Sequence, residues 1–160
     1  MGSRRLGREL LAPAFCAIGL AGMAYCHTKD LGMKLDEHVY YMAGLFCCNI
    51  AASIGLIPLA LYAPRLGVRG ARAVWASAGA LAAFTMAGFT WSRTIGFPQM
   101  QDHVGAWDTL GVTSLGFEGL VLAVSAAMLV SLSRRDEAQR RTEARRRTGR
   151  FSRTVYPISS

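Results

Sequence analysis

Four apolar runs, each close to the length of a bilayer crossing, divide this chain and leave its charges in the stretches between them. A soluble domain spreads apolar residues along one face of each helix or strand, but here a 52% apolar content is gathered into blocks. Crossing a hydrocarbon core of roughly 30 Å takes about 20 helical residues. The runs lie near Leu10–Cys26, Val39–Tyr62, Val74–Trp91 and Leu110–Leu132. The expected fold is therefore all-α: an integral membrane four-helix bundle running up-down-up-down, joined by connections short enough to make sequential helices neighbours.

Charge orients this bundle. Of 18 Lys and Arg, 15 fall on alternate segments: Arg4, Arg5 and Arg8 in the head, Arg65, Arg69 and Arg72 in the middle connection, and nine arginines from Arg134 to Arg153 in the tail. The other two connections hold Lys29, Lys34 and Arg93. Basic flanks are retained on the cytoplasmic side, so both termini are expected inside and two connections outside a bacterial inner or plasma membrane. Tyr25, Tyr40, Tyr41, Trp91 and Trp107 would form the outer aromatic girdle, with Tyr62 and Trp75 marking the inner one. Ser3-Arg4-Arg5 before the first run, with Gly22 and Ala24 near its end, also fits a cleavable export signal. Its removal would leave three spans that break the charge alternation, so the first run is read as retained.

The chain divides into a transmembrane domain over 1–132 and a basic cytoplasmic tail over 133–160, partly helical and then disordered from Gly149. Asp136 with Arg140, Glu137 with Arg141 and Glu143 with Arg147 stand four apart in the acid-first order that supports a helix. The net charge of +8 would suggest nucleic acid in a soluble protein. Concentrated in one membrane-flanking tail, it points instead to orientation and to anionic lipid at the inner surface, with no nucleic-acid role.

Helices in lipid gain little from apolarity alone, so close packing relies on small residues. Gly44, Cys48 and Ala52 recur every four residues in the second span, Gly79, Ala83 and Ala87 in the third, and Gly119, Ala123, Ala127 and Ser131 in the fourth. These stripes are the expected interfaces, either within the bundle or with a membrane-protein partner or second copy. Pro58 is placed to bend the second helix near its inner end. Cys16, Cys47 and Cys48 lie in spans and read as small packing residues, although Cys16 and Cys48 fall at similar depth.

Glu118 is the sharpest polar feature. Counted from Leu110 at 1.5 Å per residue, it lies roughly 12 Å below the outer surface, where a carboxyl group must face protein or water. Ser114 and Ser125 share its helical face. Arg93, at the outer end of the third span, is the nearest cation in this reading, with Glu118, Asp102 and Asp108 as its alternative partners. Gly96 and Pro98 would stop that helix and turn the chain across the bundle mouth.

The run Ser92-Arg93-Thr94-Ile95-Gly96-Phe97-Pro98, followed by a loop with His and Trp and then by a span carrying Glu, resembles a group of small bacterial four-span membrane proteins that lack an assigned activity. The resemblance covers roughly residues 90–120. It implies a four-span architecture and brings no catalytic assignment.

His27, His38 and His103 all fall on the expected outer side, near Asp30, Asp36, Glu37 and Asp102. Imidazole with carboxylate suits zinc, whereas Met33, Met100 and Cys26 would suit copper. None of the spacings forms a tight ligand motif. No phosphate loop, nucleophile signature or paired zinc motif is present, so no cofactor is assigned.

Three functions remain open to such a chain: a non-enzymatic accessory protein or small subunit of a membrane complex, a small transporter or ligand-binding protein with an outer-facing polar cavity lined by Glu118, Arg93 and His103, or a metal- or redox-linked membrane enzyme. The orientation common to all three predicts that an impermeant thiol reagent labels Cys26 from outside intact cells. Labelling only after permeabilisation would reverse the topology.

Overall fold

The computed structural model describes residues 3–154, with side chains over 11–144. Four helices form among the described residues: α1 (Ser3–Asp36), α2 (Tyr40–Tyr62), α3 (Gly67–Thr94) and α4 (Thr109–Thr154). They run up-down-up-down, and each carries a stretch of 26 residues or more that is long and apolar enough to cross a membrane. By length and composition this is a multi-pass membrane protein. One end of the bundle holds the α1–α2 turn and the α3–α4 loop, here the loop end; the other holds the start of α1, the α2–α3 turn and the far part of α4.

α1 runs ten residues past the expected limit at Cys26. Apart from Gly32, nothing between His27 and Leu35 interrupts a helix, and the Thr28 hydroxyl donates to the Ala24 carbonyl at 2.7 Å. The helix then ends in a Schellman arrangement: Val39 N–H donates to the Lys34 carbonyl at 3.0 Å, and His38 N–H to the Leu35 carbonyl at 3.1 Å. His38 takes the left-handed position, φ 59°, that glycine usually fills, and buried Val39 closes the turn against Met42 and Met100. The expected 12-residue outer connection is thus mostly helix. Cys26, 1% exposed, is enclosed within it and is a poor labelling site; the exposed loop position Ala106, changed to Cys in a cysteine-free chain, serves that topology test.

α1 packs against both α2 and α4, and α3 against α4, while the α2–α3 contact is thin. Cys16, Leu20 and Met23 of α1 meet Trp75 and Ala78 of α3 and Val121 of α4 in the main apolar cluster. Trp75, expected at the inner interface, is 1% exposed and belongs to this core. The outward surface is as apolar as lipid contact requires, with Phe84 74% exposed and Ile18, Leu45, Ile54 and Val130 also turned out. α4 continues without a break at Leu132, extending the tail helix through Thr154. Arg72 at the start of α3 braces it at Asp136, 3.3 Å away, and Arg140 lies 3.6 Å from the same carboxylate. Arg147 and residues 155–160 lie outside the described side chains, as do Arg4, Arg5 and Arg8.

The close contact of α1 with α4 comes from glycines outside the expected stripes. A Cβ on Gly19 would stand 2.5 Å from Val121 Cγ2 and 3.2 Å from the Phe117 carbonyl oxygen, and one on Gly22 would stand 2.5 Å from the Phe117 ring. α1 and α4 touch there because Phe117 needs the space that a side chain would occupy. Of the expected small-residue stripes, Gly79 does reach a neighbour, with its Cβ position 3.1 Å from Ser125 Cβ. Gly44, Cys48 and Ala52 are exposed, as are Ala83, Ala87, Ala123 and Ala127. Cys16 is buried while Cys48 faces outward, and all four cysteines are free. Gly22→Val is expected to lower stability by about 1–3 kcal/mol through overpacking. Gly44→Ala, with no atom within 4 Å of the new methyl group, should leave the melting temperature in detergent unchanged or slightly raised.

Candidate functional site

The α1–α4 contact fixes what lies one turn toward the loop end. His27 of α1 and Glu118 of α4 face each other, 5% and 1% exposed, with Nε2 3.5 Å from Oε1. Ser114, one turn earlier on α4, donates its hydroxyl to Oε1 at 2.9 Å. Phe46 of α2 backs the imidazole, with ring centroids 5.2 Å apart and planes 26° from parallel. Three helices thus close an ionisable pair inside the spanning part of the bundle.

The pair is incompletely satisfied. At 3.5 Å the two groups sense each other's charge without forming a well-aligned hydrogen bond. Among the described residues, both His27 nitrogens and Glu118 Oε2 lack hydrogen-bond partners, as does Ser125 Oγ deeper on the same face of α4. An unmatched buried polar group costs about 1–3 kcal/mol, so several together mark a place where packing alone does not explain the residues. Moving one proton from the carboxyl to the imidazole converts a neutral pair into an ion pair without displacing a heavy atom.

Arg93 stands elsewhere. Its guanidinium Nη2 bonds Asp108 Oδ2, its Nη1 donates to the His103 carbonyl at 3.4 Å, and its Cζ lies 5.0 Å from the Phe89 ring centroid. Of its three expected partners the structure takes Asp108, because the loop folds that carboxylate back over the end of α3 while Glu118 points into the α1 seam. Asp108 also caps α4, its Oδ1 accepting the Gly111 N–H at 2.7 Å. The rest of the Ser92–Pro98 run is loop architecture as well. Ser92 Oγ donates to the Phe89 carbonyl at 2.7 Å, Gly96 holds φ +87° with its N–H on the Trp91 carbonyl, and the Pro98 carbonyl accepts the Tyr41 hydroxyl at 2.5 Å.

The three histidines take three separate places, and no group of three or more His, Cys, Asp or Glu among the described residues is arranged to hold a metal ion. His27 is drawn inward by the extra turns of α1. His38 makes the α1–α2 turn and sets its ring edge-on to Tyr40 at 5.9 Å. His103 pins the α3–α4 loop to α1, with Nε2 2.9 Å from Lys34 Nζ and Nδ1 3.1 Å from Asp102 Oδ1. An ammonium group only donates, so Nε2 accepts and Nδ1 carries the proton given to Asp102. That bond, helped by a backbone hydrogen bond, holds the Asp102 carboxyl below its ordinary range. The stabilisation is present above the ordinary carboxylate value and is lost only as pH falls through the depressed one. Lys34, 6% exposed, is also held by Glu37 Oε2 at 2.5 Å.

No family model, curated protein or solved structure matches this chain. The class that fold and site define is a multi-pass helical bundle with a buried His–Glu pair.

The double use of Asp108 yields a graded prediction. Asp108→Asn keeps an oxygen for the cap and loses the charge, an effect below about 1 kcal/mol because this side chain is 47% exposed. Asp108→Ala loses cap and pair together, adding about 0.5–2 kcal/mol. Thermal unfolding in detergent should rank them in that order, and Arg93→Ala should erase most of the Asn effect.

Proposed function

We propose that this chain is a non-enzymatic, multi-pass membrane protein that binds a proton at the His27–Glu118 pair, a ligand-binding reading in which the ligand is the smallest one available. The carrying observation is that two buried ionisable side chains from different helices face each other with unsatisfied polar atoms. Intramembrane ionisable residues are costly and usually serve ion or proton binding. The near-complete burial of both groups favours a proton over a larger solute, and Arg93, committed to Asp108, takes no part in the site. The arginine distribution supports an orientation with the termini cytoplasmic and the loop end outside, in a bacterial inner or plasma membrane, and with the α4 extension against anionic lipid. The Ser92–Pro98 run supports membership of the small bacterial four-span proteins it resembles.

A second reading, as an accessory or small subunit of a membrane complex or as a homo-oligomer, rests on a different observation. α2 turns Gly44, Cys48, Ala52 and Gly55 outward, with open space at both glycines. Small residues on an outward face let another transmembrane helix approach closely. The two readings are compatible, since proton binding inside the bundle can accompany assembly through α2.

Infrared difference spectra of the full chain in lipid nanodiscs, taken between about pH 4 and pH 9, test the proton reading. The wild-type protein should show a buried-carboxyl band that grows on acidification, that Glu118→Gln removes, and that His27→Phe displaces in pH. A spectrum identical in wild type and Glu118→Gln would overturn the proposal.

A further inference from the structure

The inward face of α1 repeats in steps of four and three: Cys16, Leu20, Met23, His27, Asp30, Lys34. Such spacing keeps one face of a helix in line. Its chemistry changes halfway. Toward the termini the stripe joins the apolar cluster with Trp75, Ala78 and Val121. From His27 to the loop end, every member is ionisable.

These three rungs cover about 10 Å of helix axis, and successive rungs are near neighbours, with Cβ atoms about 5–6 Å apart. Lys34 forms the upper rung, tied to Glu37 and to His103 of the loop. Asp30 is half-buried between Lys34 and His27, and the charges acting on it come from His27 and Lys34 on α1, from Arg93 at the end of α3, and from Asp108 at the start of α4. Glu118 meets His27 and Ser114, with Cys26 also within its field. The ladder therefore runs from the loop end to Glu118, and beyond it the apolar cluster fills the seam with Ser125 as a polar member.

We infer that Asp30 is the relay through which the His27–Glu118 pair exchanges protons with the loop end of the bundle, and with that end alone. The inference rests on the proton-binding reading of the pair. In the inward step the Asp30 carboxylate takes a proton from water at the loop end and passes it, across a bridging water, to one nitrogen of His27. The other nitrogen releases its own proton to the Glu118 carboxylate, so the imidazole finishes with as many protons as it began with. No electron moves and no co-reactant is consumed. Asp30 acts through His27 and is a positioning and transfer residue for the site.

The test follows the Glu118 carboxyl band in time after a pH jump, using full-length protein in nanodiscs. Asp30→Asn should leave the amplitude of the band intact and slow its appearance by about tenfold or more, and Asp30→Glu should restore the rate. An ion-pair role for Asp30 would change stability without this separation of rate from amplitude. A second measurement needs no substitution at Asp30. In proteoliposomes whose orientation is read from Ala106→Cys labelling, a jump applied on the loop side should drive the band, and one on the terminal side should not. Equal rates in wild type and Asp30→Asn, or an equal response from both sides, would overturn the relay. Absence of the band in wild type would instead overturn the proton-binding reading beneath it.

Discussion

Two glycines on α1 set the distance on which the rest of this bundle depends. Gly19 and Gly22 leave room for Val121 and the Phe117 ring, and a methyl group at either would meet them at 2.5 Å. Water cannot drive helices together inside a bilayer, so this surface fit and the polar contacts it aligns must hold α1 to α4. The register it imposes puts His27 opposite Glu118. A shift of either helix by one turn, about 5.4 Å, would strand both ionisable groups against apolar neighbours. Packing and site are one arrangement, and the orphaned atoms at the pair show where it departs from full internal satisfaction.

The loop end is organised by single groups that each do two things. Asp108 caps α4 and holds Arg93; His103 accepts from Lys34 and donates to Asp102; Lys34 ends the buried stripe of α1 and anchors the loop. Tyr41 adds a tie from α2 through the Pro98 carbonyl. A 14-residue connection between α3 and α4 is thereby fastened to all four helices with almost no apolar core of its own beyond Val39, Met42 and Met100. Charged and polar ties suit this position, because the end of a membrane bundle meets headgroups and water.

Much of this was legible in the chain, and the misses have physical causes. Four spans follow from block hydropathy, which survives any detail of packing, and the burial of Glu118 follows from its depth. Gly96 announces the end of α3 because its positive φ suits glycine. The end of α1 was hidden, since His38 occupies a left-handed position that sequence reading assigns to Gly or Asn. That one residue moved the helix boundary and turned His27 from a loop histidine into the partner of Glu118. The small-residue stripes misled for another reason: regular spacing shows that a face is flat without showing what lies against it. On α2 that face looks outward, while the working contact uses Gly19 and Gly22, only three residues apart. The α1 stripe from Cys16 to Lys34 was present throughout, but it crosses the point where hydropathy falls, and a window that averages hydropathy ends there.

α4 is 46 residues long and unbroken, so it measures roughly 70 Å, more than twice the thickness of a hydrocarbon core. A continuous helix is stiff over that length. Glu118 and the arginines beyond Leu132 therefore sit on one lever, with Arg72 and Asp136 acting as its collar where it leaves the other helices. A few degrees of tilt at the carboxyl group become several ångströms of sweep at the far end, and drag on the basic end is felt as torque at the carboxyl.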